Sequence, residues 1–281
     1  MIETVEITEN NLESFKRLLG EDLSADLVRL YYRGIGAADE EGNALGAMVC
    51  ELLNADSDRD NSSRICFLKS GDKEVFDAMH SRYRDFTVKE EEVVESFYEL
   101  PDESEAQALA GAGFSLEKKE GSTVILTLGE LEDNKLARHK KVPDRIKSIE
   151  SLSILEFRNA VKQILFKGHN GILEDIAYLP MSWFDSRVSA CVRSENLVPG
   201  LFLVRKTPSG VLIPVLYSAY GAEYKENMLY MLVHSLKKAF EYYPPETPVM
   251  ILRQNPAIRT LTDKLIPGVT GKETFSGSRM E

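Results

Sequence analysis

The sequence predicts an α/β (α+β) protein of two similar halves, each a mixed, mainly antiparallel sheet flanked by helices. Three observations lead there. The chain has 281 residues, beyond the size at which one hydrophobic core usually keeps growing, so two domains are expected. Short apolar runs alternate along it with segments of helical period. The order of these segments in the first half recurs in the second. The expected units are residues 1–130 and 148–281, joined by a basic linker over 131–147.

The first half opens with a strand over Glu3–Ile7. A helix follows, capped by Thr8 or Asn10, with Leu12, Phe15, Leu18 and Leu19 on its apolar face. A second helix is expected over Ser24–Tyr32, with Leu23, Leu27 and Leu30 on one side. Ile35–Ala38 and the apolar run Ala44–Leu53 flank Asp39-Glu40-Glu41-Gly42-Asn43, a hairpin signal. A strand at Ile65–Leu68 leads through Ser70-Gly71 into a helix over Asp72–Asp85, whose inner face is Val75, Met79 and Tyr83. Val93–Leu100 reads as a strand and Ser104–Ala110 as a short helix ended by Gly111-Ala112-Gly113. Phe114–Leu116 and Thr123–Leu128 are expected to close the half as an antiparallel pair around Lys119-Glu120-Gly121.

The second half repeats the order. A strand over Lys147–Leu152 precedes a helix over Ile154–Phe166, with Leu155, Val161, Ile164 and Leu165 inward. Ile172–Phe184 is mixed helix and loop, and Val188–Val192 is a strand. Gly200–Lys206 and Val211–Ser218 form a hairpin around Thr207-Pro208-Ser209-Gly210. A helix over Asn227–Tyr242 carries the stripe Leu229, Leu232, Val233, Leu236 and Phe240. Strand Pro248–Leu252 and helix Asn255–Leu265 follow, ended by Pro267-Gly268, after which too little chain remains for a full closing hairpin.

Composition narrows the classes. With 43% hydrophobic and 28% charged residues, wholesale disorder is excluded. A net charge of −11 argues against a nucleic-acid partner, whose phosphates call for Lys and Arg. Cys50, Cys66 and Cys191 are odd in number, with no CxxC or Cys/His cluster, so no metal site is expected and a reducing cytoplasm is the simplest compartment. No apolar stretch reaches membrane-span length and no signal peptide is read at the start.

In its element order, and in Ser104-Glu105-Ala106-Gln107-Ala108-Leu109-Ala110-Gly111-Ala112-Gly113-Phe114, the chain resembles the GNAT superfamily of acyl-CoA N-acyltransferases, in tandem. The segment looks like that family's penultimate helix running into its Gly-Phe turn; Asn255–Leu265 is the weaker counterpart. The resemblance spans residues 2–128 and 149–281. It implies acetyl-CoA as co-substrate. The pyrophosphate would rest on backbone amides of the turn after the fourth strand, where the following helix N-terminus favours an anion. The pantetheine would lie between splayed strands four and five. It implies acetyl transfer to an amine of a small molecule or peptide, or else a non-catalytic scaffold or acyl-CoA-binding protein. A monomer or a homodimer is expected, and the acidic charge would steer a cationic acceptor.

Mapped by that resemblance, the first-half turn is Lys69-Ser70-Gly71-Asp72-Lys73. Asp72 puts a carboxylate where a phosphate would sit and reads as an ordinary N-cap. The second-half turn is more permissive. Its candidate cofactor-binding residues are Tyr217, Ser218, Tyr220, Gly221, Ala222, Lys225 and Asn227. Gly221 and Ala222 would admit a ligand close to the backbone, Lys225 would neutralise a phosphate, and Asn227 would cap the helix; Glu223 and Glu226 oppose an anion. The family's general-acid Tyr falls at Ala110 and Thr262, neither of which protonates a thiolate at neutral pH. Catalytic residues are therefore unassigned, with Glu95, Glu99 and Glu223 the carboxylates available as a base.

Other patterns read as structural. Arg33-Gly34-Ile35-Gly36-Ala37 mimics a phosphate loop, but a turn follows it instead of a helix. Asp56, Asp58, Asp60 and Asn61 open like a calcium loop that lacks its Gly and Glu. His80, His139, His169 and His234 have no spaced metal partner. Trp183 reads as core, and Tyr217, Tyr220 and Tyr224 either line a cleft or cover an apolar edge.

Overall fold

The computed structural model describes residues 2–54, 59–132, 141–167, 174–195, 197–253 and 256–281. Asp56, Asp58, the linker residues Lys135, Arg138, His139 and Lys140, and also His169 and Asn255, lie outside them. Two compact units form, one of Met1–Gly121 with Lys272–Glu281 and one of Ser122–Gly271.

The first unit runs β1 (Glu3–Ile7), α1 (Leu12–Asp26), β2 (Tyr32–Ala38), β3 (Ala44–Leu53), β4 (Ser62–Ser70), α2 (Lys73–Tyr83), β5 (Glu95–Leu100), α3 (Glu103–Gly111) and β6 (Glu117–Glu120). The second runs β7 (Thr123–Thr127), α4 (Leu128–Glu132), β8 (Ile146–Ser148), α5 (Ile154–Lys167), β9 (Ala190–Ser194), β10 (Leu197–Lys206), β11 (Leu212–Ala219), α6 (Tyr224–Tyr242), β12 (Pro248–Leu252) and α7 (Pro256–Leu265). The chain then returns to the first unit as β13 (Glu273–Met280). The sheet orders are β1-β2-β3-β4-β5-β13-β6 and β7-β12-β11-β10-β9-β8. Neighbours are antiparallel except β4 with β5 and β11 with β12. The expected mixed, mainly antiparallel α+β architecture is what forms.

Its closure differs from expectation. Phe114–Leu116 and Thr123–Leu128 do not pair. β6 lies in the first sheet and β7 in the second, against β12. The patterns explain why. Glu117-Lys118-Lys119-Glu120 is exposed at every position and makes a charged edge, whereas β7 buries Val124 and Leu126. The chain after Gly268, which seemed too short to close the second half, supplies β13 to the first sheet between β5 and β6. Each sheet is thus completed by a strand from the other half of the sequence.

Local differences have local causes. Gly20, at φ +75°, breaks α1, and the chain turns after Asp26, so no helix spans Ser24–Tyr32. Leu23 and Leu27 still pack on the core, but Leu30 is exposed. On α5 the buried residues are Phe157, Ala160, Val161 and Ile164, whereas Leu155 and Leu165 are exposed. The Arg33–Ala37 segment is strand β2, as its following turn requires. Each sheet carries apolar side chains on both faces. α1 covers one face of the first sheet, and α2 and α3 the other; α5 and α6 cover opposite faces of the second.

β13 is held by a close backbone approach. A Cβ on Gly277 would stand 1.7 Å from the carbonyl oxygen of Ser115. That oxygen accepts from Tyr98 Oη at 3.0 Å, and Ser115 N donates to Ser278 O at 2.9 Å. Gly277→Ala should therefore destabilise the fold by about 1–3 kcal/mol, because the obstacle is backbone and cannot swing away. Thermal melts against Gly111→Ala, which meets open space, check this; equal melting temperatures would contradict it.

Two half-buried histidines make stability depend on pH. His80 stacks on Phe76 at 5.6 Å, with Arg279 Nη1 3.4 Å from its Nε2. Burial first, then Arg279 and Arg84, hold its pKa below the ordinary 6.5. His234 is lowered by burial, then by Lys238 and Lys147. Unfolded chains take up protons near 6.5 that the folded state refuses. This contribution is complete above that value and is lost as pH falls below it. Urea midpoints should drop between pH 7.5 and pH 5, and His80→Gln should flatten part of the slope.

Candidate functional site

In the first unit the parallel pair holds over Ser62–Ile65 of β4 and Glu95–Tyr98 of β5, and beyond those rungs no pairing continues. Cys66 is an extra residue between the rungs Cys50–Ile65 and Val49–Phe67, a β-bulge on β4. At the end of β4 two carboxylates already accept from donors of the turn. Ser70 N and Oγ both donate to the Glu105 carboxylate at 3.0 Å. Asp72 caps α2, its Oδ1 accepting from Val75 N at 2.9 Å. Two protein carboxylates therefore sit where an anionic ligand would need to bind, and the N-cap reading of Asp72 holds.

The second unit is built the same way but left open. β11 and β12 share the single rung Leu212–Val249. Val215 is the extra residue between the rungs Val204–Pro214 and Leu203–Leu216. Pro214 beside it has no N–H to give a neighbouring strand, which suits an interrupted ladder. The turn then passes through Gly221 at φ +92°, where an added Cβ would meet nothing within 4 Å. α6 starts at Tyr224 with Glu223 at the N-cap and no side-chain cap bond. Tyr224 N and Asn227 N donate to Gly221 O and Glu223 O, while the intervening amides of Lys225 and Glu226 are among the donors every helix start leaves over.

Arg145, unmarked by the sequence reading, stands at this helix start. Its Nε donates to Asn227 Oδ1 at 3.0 Å and its Nη2 lies 3.2 Å from Glu223 Oε2. Asn227 is therefore not the cap: it lies inside α6, buried, latching a guanidinium. Tyr220, Gly221, Ala222 and Lys225 sit on the turn, with Gly221, Ala222 and Lys225 exposed. Tyr217 and Ser218 instead point inward. Tyr217 packs edge-on to Phe202 at 5.1 Å, and burial raises its phenol pKa. Ser218 is fully buried, and its Oγ has no hydrogen-bond partner among the described residues. The three tyrosines divide: Tyr217 and Tyr224 pack with α6, Tyr220 with the α5 face.

The candidate bases and the thiols differ in their surroundings. Glu223 is paired with Arg145, and Glu95 and Glu99 lie on β5 in the first unit. Thr262 Oγ1 donates to Ile258 O at 2.8 Å within its own helix. Burial pushes Cys50 and Cys191 up to about 11 and Cys66 to about 12, so all three stay thiols. Ser148 Oγ donates to Arg187 O at 2.7 Å, so at the 3.1 Å contact it accepts from His234 Nε2–H.

No protein-family profile matches the sequence, and no curated protein matches it in sequence. Solved structures do match in fold. A tandem GNAT protein from the clavulanic acid biosynthesis pathway aligns over 100% of this chain and 98% of its own, at TM-score 0.64 and 14% identity. The N-myristoyltransferase of Saccharomyces cerevisiae with bound myristoyl-CoA aligns over 99% and 78%, at TM-score 0.55 and 11% identity. A GCN5-related N-acetyltransferase from Sphaerobacter thermophilus aligns over 99% and 95%, at 0.50 and 12%. The chain thus shares its fold, over its whole length, with a tandem GNAT protein.

Arg145→Ala leaves the buried Asn227 carbonyl without its donor. An expected loss of about 1–3 kcal/mol follows, measured by urea unfolding; Arg145→Lys should recover part of it.

Proposed function

We propose that the chain is an acyl-CoA-dependent N-acyltransferase whose single co-substrate site lies in the second unit. The observation that carries this reading is the contrast between the two turns. In the first, Asp72 caps α2 and Glu105 accepts from Ser70; in the second, no side chain caps α6, Lys225 is exposed, and Arg145 holds Glu223 aside. An exposed Lys225 at an uncapped helix start, with Glu223 drawn to Arg145, favours a pyrophosphate there. The parting of β11 from β12 after one rung leaves strand edges for a pantetheine amide chain.

The transfer balances simply. An amine nitrogen attacks the thioester carbonyl, the C–S bond breaks with its electron pair going to sulfur, and the amine proton leaves to a base or water. Thiols ionise near 8.5, so the thiolate departs without a strong acid. Ala110 and Thr262, where the family keeps a Tyr, therefore remain compatible with turnover. The acceptor is proposed to be a primary amine of a small molecule or peptide, drawn by the −11 charge.

The second reading is a non-catalytic acyl-CoA-binding protein, favoured by those same two positions. Calorimetry with CoA and thiol release across an amine panel separate them: binding without release selects the second, and no binding removes both. Lys225→Glu should weaken CoA binding about tenfold, the size of one lost charge-assisted contact. Asp72→Asn, at the occupied turn, should leave affinity unchanged. An unaltered affinity in Lys225→Glu would move the site elsewhere.

A further inference from the structure

The second unit contains an apolar cavity where β11 and β12 begin to part. Its base is the lone rung Leu212–Val249; Pro214 and Ile251 flank the gap above, and Leu236 and Ala239 of α6 close it from the helix side. Among the described side chains that line it, Ser235 alone carries a polar atom. Its volume is ≈ 80 Å³. A single water needs only about 10–15 Å³, and interiors seldom leave voids much larger than that. Walls this apolar give water no partners, so the space suits hydrocarbon.

Its position ties it to the proposed co-substrate. β11 leads from Pro214 at the cavity to Tyr220 at the turn, about 20 Å at roughly 3.3 Å per strand residue. A CoA with its pyrophosphate on the α6 start and its arm laid along β11 would deliver the acyl group into the cavity. An acetyl group brings one methyl and would leave most of the space empty. We infer that the acyl group taken here is an apolar chain of several carbons, buried between β11, β12 and α6 in the second unit, rather than acetyl. This rests on the acyl-CoA reading above and narrows its substrate class.

Calorimetry on the full chain with CoA, acetyl-CoA and octanoyl-CoA tests it. Each buried methylene tightens binding about fourfold, so octanoyl-CoA should bind at least about tenfold tighter than acetyl-CoA. Ala239→Leu and, separately, Ser235→Leu fill the cavity and should cut that ratio to below about threefold; melting curves show which variant is folded. Equal affinities for the two thioesters in the unaltered chain would overturn the inference while leaving the acyl-CoA reading intact. An octanoyl preference that survives both substitutions would overturn the location. Failure of CoA and both thioesters to bind would overturn the acyl-CoA reading itself, and this inference with it.

Discussion

A parallel strand pair cannot be joined by a tight turn; the chain must leave the sheet, cross over as a helix and return. That crossover is α2 after β4 in the first unit and α6 after β11 in the second, and the pair it joins is the sheet's one parallel contact. The ladder survives four rungs in the first unit and one in the second. Where it stops, a sheet that is otherwise fully paired opens a gap, and the helix start stands at the end of that gap. The bulges at Cys66 and Val215 and the proline at 214 lie on the strands bordering it. The remaining strands act as the frame that keeps this opening in place.

The two openings differ in charge and in filling. At the first turn Asp72 caps α2, which stabilises it, and Glu105 accepts from Ser70. The second turn leaves that work undone: Glu223 is turned toward Arg145, and no side chain caps α6. In the first unit Leu68, Leu100, Leu109 and Phe114 belong to one core cluster; in the second an apolar cavity lies where the strands part. The cavity and the uncapped helix start are what support the proposed site in the second unit.

The edges impose their own constraint. A sheet of this kind needs a final strand beside the fifth, and here that strand comes from the other half of the chain: β13 beside β5, β7 beside β12. The exchange depends on Gly277, whose missing side chain lets β13 approach Ser115, and on a charged β6 that has no apolar face to pair with β7.

Most elements were legible because burial imposes period two on strands and 3.6 on helices, a pattern that survives at low identity. Thr123–Thr127 and Pro248–Leu252 could each be read as strands; their pairing could not, since period says which face is buried and not which partner covers it. The second turn was legible from Gly221 and Lys225, whereas Arg145 was hidden inside a basic stretch, 82 residues from the Asn227 it bonds. By itself, then, the sequence determined the fold class and the N-cap at Asp72, both of which follow from patterns local in the chain. Only the tertiary structure decided which strands complete each sheet, which cation guards the second turn and that a cavity lies beneath it, because each of these depends on contacts between segments distant in sequence.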